Sequence, residues 1–267
     1  MARRLDAAMA AMGLVPSREQ AARLIRAGQV TVNGKVASRP SIQLQENDQV
    51  EITGGQLPFV SRGGLKLQRA LEVFPISLNG CICADIGAST GGFTDCMLQH
   101  GAAKIYAIDV GTGQLHPSLL KNPQVVNMEK TNIRDLPPDA LEPLDFVSTD
   151  VSFISLRLVL PVICRLLKQA GQAVVLVKPQ FEAGRGNVGK KGVVRDPKIH
   201  LQVLRDVARY AAESGLDVTG ADYSPIRGPE GNIEYLYLLK KDQTASVGDH
   251  DLQQLVTAAH QALGKQG

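Results

Sequence analysis

Two lysines and two carboxylates stand at widely separated positions of the chain, Lys66, Asp150, Lys178 and Glu234. Such a set suits a reaction that orients or removes the proton of a hydroxyl group, because it can place a proton donor and a proton acceptor beside that group. Taken singly, each lysine could equally be a surface charge. Together the four predict a site that acts on a hydroxyl, with Lys178 as the candidate base or orienting group.

A glycine-rich segment lies between an apolar run at 81–84 and a predicted helix at 93–100. Glycine allows the backbone to turn sharply and approach a ligand, and the first amides of the following helix bind anions. Gly87, Gly91 and Gly92 have the spacing G-x-x-x-G-G, whereas turns that bind the pyrophosphate of a dinucleotide have G-x-G-x-x-G. The turn is therefore suited to a smaller anion, such as a carboxylate.

Two acidic residues flank this turn and point to S-adenosylmethionine as the ligand. Asp85 precedes the turn and is a candidate partner for the amine, and Asp109 ends the next apolar run, where an acid can bind ribose hydroxyls. The alternative is that the glycines only allow tight packing of a helix on a strand. The cofactor-binding candidates around the turn are Asp85, Gly87, Ala88, Ser89, Gly91, Gly92, Phe93 and Asp109.

The elements predicted around these residues alternate between strand and helix, which indicates a doubly wound, mostly parallel α/β sheet. Strands are predicted at 81–84, 105–108, 124–127, 144–150, 173–178, 217–223 and 233–239, and helices at 93–100, 156–167, 197–214 and 252–263, with a further helix ending near Phe74. Ligands bind such sheets at the carboxyl ends of the strands. Asp85, Asp109, Asp150 and Lys178 should therefore converge there.

The first fifty residues have a different pattern and predict a separate α+β module. Helices are predicted at 3–12 and 17–27, followed by a hairpin at 30–36 around an Asn-Gly turn and a strand at 50–52. The segment 17–34 closely resembles the alpha-L RNA-binding domain, which a small-subunit ribosomal protein, pseudouridine synthases and tyrosyl-tRNA synthetases share. The resemblance implies that the second helix and the hairpin dock on structured RNA.

Two classes of methyl transfer lack their motifs here. An enzyme that methylates amino groups usually carries Asn/Asp-Pro-Pro-aromatic after the fourth strand, where this chain has 149–153, TDVSF. A cytosine carbon-5 methylase needs a nucleophilic cysteine, typically after a proline, and none of the four cysteines follows one. A hydroxyl acceptor fits better.

The four residues of the first paragraph match the Lys-Asp-Lys-Glu tetrad of FtsJ-like ribose 2'-O-methyltransferases. They stand in SRGGLKL, STDVSF, LVKPQFE and GNIEY. An alpha-L domain joined to this catalytic domain is similar to the TlyA family, ribosomal RNA methyltransferases first called haemolysins. The resemblance runs from about Arg4 to Lys240. It implies a Rossmann-like, S-adenosylmethionine-dependent domain that methylates a cytidine ribose in ribosomal RNA of one or both subunits, and it places Asn132 beside the adenine.

The expected domains are an RNA-binding module at 1–53, a linker at 54–60, the methyltransferase domain at 61–240, and a polar tail with a short helix at 241–267. A loop at 181–197, rich in glycine and cations, is a candidate for gripping the substrate. The candidate RNA-binding residues are Arg4, Arg18, Arg23, Arg26, Lys35, Arg62, Arg185, Lys190 and Lys191.

The composition is that of an ordinary globular protein, with 44% hydrophobic and 21% charged residues over 267 positions. The net charge of +3 permits a nucleic-acid partner without requiring one. We expect no metal, reduced cysteines, a cytoplasmic monomer and no membrane span. Two other functions stay open, namely an RNA-binding assembly factor with an inert methyltransferase domain, and a membrane-active haemolysin, which would need a strongly apolar segment.

Overall fold

The chain folds as two units, Met1–Pro58 and Phe59–Gly267. The structure is a computed structural model, and it describes residues 3–15, 17–26, 29–37, 39–45, 47–52, 58–137, 139–241, 243 and 246–264. The side chains of Lys35, Val36 and Arg185 lie outside the description. Most of the predicted linker at 54–60 also falls outside the described residues.

The N-terminal unit packs two helices over small antiparallel sheets. Its elements are β1 (Arg3–Arg4), α1 (Leu5–Ala11), α2 (Arg18–Arg26), β2 (Val30–Val32), β3 (Lys35–Val36), β4 (Gln43–Leu44) and β5 (Val50–Ile52), with sheet orders β1-β4 and β3-β2-β5. Its core includes Leu5, Met9, Ile25 and Val30, each of which is at most 1% exposed. The predicted hairpin is confirmed: residues 33 and 34 have φ of 52° and 76°, the two left-handed positions that an Asn-Gly turn supplies.

The second unit alternates strands and helices, as the sequence predicts. Its elements are α3 (Gly64–Val73), β6 (Ile82–Ile86), α4 (Gly92–Gln99), β7 (Lys104–Ile108), α5 (Pro117–Leu120), β8 (Val125–Met128), β9 (Leu144–Thr149), α6 (Leu160–Leu166), β10 (Leu167–Val177), α7 (Pro179–Glu182), α8 (Pro197–Glu213), β11 (Leu216–Tyr223), β12 (Tyr235–Lys241) and α9 (Asp249–Leu263). Short 3-10 helices occupy Ile133–Asp135, Leu156–Leu158 and Arg185–Asn187.

The seven strands form one sheet in the order β11-β12-β10-β9-β6-β7-β8. All described pairings are parallel except those of β12, which runs antiparallel to β10 and β11. The chain leaves β6 toward β7 and β8, then returns to place β9 on the other side of β6. The order therefore reverses between β6 and β9, which is where an open α/β sheet leaves a crevice for a ligand.

Both faces of the sheet are covered, so the central strands carry apolar side chains on both faces. Along β10, Val174 and Leu176 pack into a core shared with α3 and α4, while Val175 and Val177 pack into the larger core that includes α6, α8 and α9. These side chains alternate because successive residues of a strand point to opposite faces.

One predicted helix is wrong in its extent. The segment 156–167 is a 3-10 turn, Leu156–Leu158, followed by the separate helix α6. Pro161 lies in the first turn of α6, where its missing N–H costs nothing, whereas inside one continuous helix it would remove a hydrogen bond. Strand β12 also begins two residues later than predicted, so that Glu234 precedes it directly.

Candidate active site

The four predicted polar residues meet at the carboxyl edge of the sheet and form a connected chain of contacts. Lys66 Nζ lies 2.7 Å from Glu234 Oε2 and 3.3 Å from Asp150 Oδ2, and Lys178 Nζ contacts Asp150 Oδ1 directly. Lys66 comes from the first turn of α3, Asp150 follows β9, and Lys178 follows β10. The order of contacts is thus Glu234, Lys66, Asp150, Lys178.

Burial and charge pairing together determine the protonation of Lys66 and Asp150. Burial lowers the pKa of Lys66, but the carboxylates of Asp150 and Glu234 outweigh it, and the net pKa is raised. Burial raises the pKa of Asp150, but Lys66 and Lys178 outweigh it, and the net pKa is lowered. Lys66 therefore stays a cation and Asp150 stays a carboxylate at neutral pH.

The two lysines have different surroundings. Lys66 is shared between two carboxylates, whereas Lys178 contacts one carboxylate, the Ser152 hydroxyl at 3.1 Å, and the face of the Phe181 ring, whose centroid is 5.7 Å from Nζ. Ser152 is exposed. Lys178 is therefore the member of the contact chain that lies beside an exposed polar group, the Ser152 hydroxyl.

Glu234 is the fully buried end of this chain of contacts, at 0% exposure. Its Oε1 accepts from Gln180 Nε2 at 3.4 Å, and a β-carbon at position 228 would lie 2.5 Å from the same oxygen. Gly228 is thus needed so that the carboxylate can lie against the backbone. Sequence reasoning missed both supporting residues, although Gln180 stands only two positions after Lys178.

The glycine turn lies directly beside this chain. Gly87 and Gly91 have φ of 83° and 94°, which L-residues with side chains rarely adopt. A β-carbon at Gly87 would lie 2.6 Å from the Asp150 carbonyl oxygen. Gly92 opens α4 and packs closely against Ser61 and the Gly64 amide. The turn is therefore packed so closely against its neighbours, including the backbone of Asp150, that a β-carbon at these glycines would clash.

The structure places Asp85 under the turn. Its Oδ2 accepts from the Thr94 amide at 2.9 Å and from the Thr94 hydroxyl at 2.7 Å, and Ser148 Oγ lies 3.4 Å from Oδ1. Burial raises its pKa to about 7, against the opposing effect of these hydrogen bonds, and 1% of the residue is exposed. These contacts support a capping role for α4, and a direct contact with a cofactor amine stays a prediction.

Asp109 lies at the carboxyl end of β7 and anchors the loops around it. Its Oδ2 accepts from the Ser89 amide at 2.8 Å, and its Oδ1 from the Gly111 amide at 2.7 Å. Ala88 and Phe93 have buried side chains, so only their backbone could reach a ligand. Asn132 Oδ1 accepts from the backbone and side-chain nitrogens of Arg134, both at 3.2 Å.

Sequence reasoning missed two exposed apolar residues, each of which follows an acidic residue at the end of a strand. Phe153, with φ of 63°, is 92% exposed and lies 5.0 Å from Phe181 between ring centroids, with the planes tilted by 54°. Val110 follows Asp109 and is 71% exposed. An apolar residue just after a strand-end acid, in a loop where core packing cannot require it, is the signal that could have found them.

The predicted RNA-binding cations fall into two groups. In the N-terminal unit, Arg4 and Arg18 both approach Asp6, at 3.0 and 3.5 Å, while Arg23 and Arg26 are exposed on α2. In the second unit, Arg62, Lys190 and Lys191 are all exposed. The side chains of Lys35 and Arg185 are among those left undescribed.

The sheet order, with one antiparallel strand and a glycine turn where the order reverses, is that of a Rossmann-like methyltransferase. Residues 59–241 match the FtsJ-like methyltransferase family, and residues 3–50 match the S4 domain. The chain belongs to the FtsJ-like methyltransferase family, in the TlyA group whose resemblance the sequence showed.

Its similarity to known proteins extends over nearly the whole chain. YqxC of Bacillus subtilis, a candidate rRNA methyltransferase by name, is 44% identical over 266 residues, covering 97% of this chain and 95% of that protein. The 16S/23S rRNA (cytidine-2'-O)-methyltransferase TlyA of Mycobacterium tuberculosis is 43% identical over 264 residues, covering 98% and 97%. A solved Streptococcus thermophilus structure, a candidate hemolysin by name, has a TM-score of 0.80 at 44% identity, covering 99% of this chain and 98% of that one.

Two further observations on the described residues concern a membrane span and a metal site. No described helix combines the length and the apolar character needed to cross a membrane. Within the same part of the chain, no group of three or more His, Cys, Asp or Glu side chains is arranged to hold a metal ion.

Proposed function

We propose that this protein methylates the ribose 2'-oxygen of a cytidine in ribosomal RNA of one or both subunits, with S-adenosylmethionine as the methyl donor. The observation that carries the proposal is the contact chain from Glu234 through Lys66 and Asp150 to Lys178, beside the glycine turn. The name of the 43% identical Mycobacterium relative supports cytidine 2'-O as the target and 16S and 23S rRNA as the substrates.

The glycine turn is suited to S-adenosylmethionine. The turn at 87–92 that opens α4 would hold the methionine end, because the first amides of a helix bind anions. Asp109 and Asn132 would hold the adenosine, since each Asp109 oxygen accepts one backbone N–H and keeps a second lone pair. When bound, S-adenosylmethionine supplies the methyl group that the ribose oxygen takes up.

Lys178 would orient the ribose hydroxyl and accept its proton at Nζ. The exposed Ser152 hydroxyl, 3.1 Å from Nζ, offers this proton a path to water. Lys66 is unsuited to the task because two carboxylates keep it charged. Its part is to hold Asp150 in place, and Glu234 with Gln180 holds Lys66.

The test is methyl transfer from labelled S-adenosylmethionine to each ribosomal subunit, isolated from cells that lack this protein. Wild-type protein should label RNA in an alkali-resistant dinucleotide, the signature of a 2'-O-methyl group. Lys178→Ala should lower the rate by about 10²- to 10⁴-fold, the usual contribution of a positioned acid–base group, with unchanged affinity for S-adenosylmethionine.

Lys168→Ala is the matched control, because Lys168 pairs with Asp145 near the start of β9, at the opposite edge of the sheet. It should transfer methyl groups at the wild-type rate. Cofactor binding without label on either subunit would contradict the proposed function and favour an RNA-binding assembly factor. Equal label from Lys178→Ala would overturn the role of Lys178 alone.

We also propose that the protein acts as a monomer on assembled subunits in the cytoplasm, where ribosomes are. The predicted division at 1–53, 54–60, 61–240 and 241–267 remains part of the proposal, with the S4 module docking on rRNA through α2 and the hairpin. Sedimentation of the protein alone would test the monomer. The comparison of free rRNA with subunits as methyl acceptors would test the preference for assembled subunits.

A further inference from the structure

Asn232 is a buried amide that none of the steps above uses. It lies in the loop between β11 and β12 and is 1% exposed. Its Nδ2 donates to the Gly192 carbonyl at 2.9 Å, and its Oδ1 accepts from the Val194 amide at 3.0 Å. One side chain therefore binds the backbone on both sides of Val193, as a neighbouring strand would do.

The segment that Asn232 holds is a tight turn with cations at its tip. The Gly192 amide donates to the Gly189 carbonyl at 2.8 Å, and the Gly189 amide to the Val193 carbonyl at 3.1 Å. Lys190 and Lys191 lie between these glycines and are exposed, and neither has an ion-pair partner among the described residues. We call residues 189–192 the lysine turn.

A second buried group fixes the end of the lysine turn. Val194 is 2% exposed, and its carbonyl lies 2.9 Å from Nε2 of His200, which must carry the proton to donate this hydrogen bond. His200 Nδ1 in turn lies 2.7 Å from the Tyr235 hydroxyl, on the residue after Glu234. The backbone of the turn is thus anchored on both sides of the Glu234 position.

The loop between β11 and β12 connects the lysine turn to the contact chain of the active site. Asn232 stands two residues before Glu234, so their α-carbons are at most about 7 Å apart. The Asn232 carbonyl accepts from the Gly228 amide at 2.9 Å, and Gly228 is the residue against which the Glu234 carboxylate lies. The lysine turn is therefore held by the same loop that carries Glu234, the buried end of the contact chain that leads to Lys178.

We propose that Asn232 is a positioning residue that fixes the lysine turn as a binding site for backbone phosphates of the substrate RNA. Lysine binds phosphate as a flexible point charge, so its position depends on the backbone that carries it. The inference rests on the proposed function, because it takes RNA as the substrate, and it adds a phosphate site and the residue that holds it in place.

The test measures the equilibrium affinity of the full-length protein for 50S subunits from cells that lack it, at several salt concentrations. Each lost phosphate contact should lower the slope of log K against log salt by about 0.7 to 0.9. The double variant Lys190→Ala/Lys191→Ala should therefore reduce the magnitude of the slope by about 1.4 to 1.8. Asn232→Ala should shift the slope in the same direction and weaken binding about 5- to 20-fold, the effect of one or two weakened phosphate contacts.

A double-mutant cycle separates positioning from a general loss of structure. Asn232→Ala added to the double lysine variant should change the affinity less than twofold, because the turn then carries no cations to position. Asn232→Ser keeps a small uncharged polar side chain, so it provides a milder variant should the alanine protein fail to fold. Unchanged binding of S-adenosylmethionine reports an intact fold, and Lys121→Ala, an exposed lysine just before β8, is the matched control for charge.

An unchanged salt slope in Asn232→Ala, with slower single-turnover methyl transfer at saturating subunits, would overturn the inference and assign Asn232 to Glu234 instead. An additive loss in the cycle would overturn it as well. Failure of the proposed function looks different, because wild-type protein would then bind S-adenosylmethionine and transfer no methyl group to either subunit.

Discussion

At the scale of single residues, Phe153 is the side chain whose exposure needs an explanation. It is 92% exposed, adopts φ of 63°, and stands three residues after Asp150 beside the ring of Phe181. Sequence-specific RNA recognition usually targets unstacked bases, which aromatic side chains receive by stacking. An exposed ring beside Lys178 can receive the base of the target nucleotide while its ribose reaches the lysine.

We therefore predict that Phe153→Ala lowers kcat/KM for subunit methylation by about 5- to 150-fold, since stacking contributes about 1–3 kcal/mol per base. The thermal midpoint should hardly change, because the ring is exposed. Phe153→Tyr keeps the aromatic face and should keep most of the activity. Steady-state methyl transfer checks both variants, and full activity of the alanine protein would rule out stacking.

At the scale of elements, β6 and α4 are joined by Asp85. The carboxylate at the end of the strand satisfies the Thr94 amide in the first turn of the helix, a role that N-terminal caps usually fill. Burial raises the pKa of Asp85 to about 7 from its ordinary value of 3.8. Between these values the folded protein binds a proton that the unfolded chain releases. The contribution of Asp85 to stability is therefore present below about pH 4 and is lost as the pH rises through 7.

Asp85→Asn removes this titration and keeps an oxygen that can accept from Thr94. We predict that the free energy of unfolding of the wild type, relative to Asp85→Asn, falls by up to about 1.4 kcal/mol per pH unit between pH 4 and 7. Urea denaturation of both proteins across this range measures the difference. A difference that does not vary with pH would mean that Asp85 ionises as it does in water.

At the scale of the whole molecule, the two units have separate hydrophobic cores. The core of the N-terminal unit contains only residues up to Val50, and those of the second unit begin at Phe59. The cofactor candidates all lie in the second unit, while the cations of α2 lie in the first. Binding of the methyl donor and docking on RNA should therefore be separable.

Removal of residues 1–58 should leave the affinity for S-adenosylmethionine unchanged and weaken binding to 50S subunits at least tenfold, because the exposed cations of α2 are removed. Calorimetry with S-adenosylmethionine and subunit binding measure the two effects. Arg23→Ala/Arg26→Ala in the full chain serves as the comparison, since it removes two exposed cations and leaves the unit folded. Full subunit affinity in the truncated protein would contradict a docking role for the S4 module.

Much of the fold could be read from local patterns. The seven strands of the large sheet, the hairpin at 33–34 and the helices α4 and α8 follow from apolar periodicity and turn residues, which act over a few positions. The helix predicted at 156–167 failed at Pro161, where one missing N–H outweighs the apolar spacing. The short helix α5 and strands β1 and β4 have four residues or fewer, too few for a period to show.

The sequence by itself determined the class of sheet, the glycine turn and the four polar residues of the candidate site. Strand-end placement brings Asp150 and Lys178 to one edge whatever the details of packing, and the match to the FtsJ-like tetrad adds Lys66 and Glu234. Only the tertiary structure decided their connections. Lys66 and Glu234 are 168 positions apart and pair at 2.7 Å. The burial of Asp85, the amide of Asn232 and the exposure of Phe153 likewise depend on which loops meet at that edge, and no local pattern encodes a distance between distant loops.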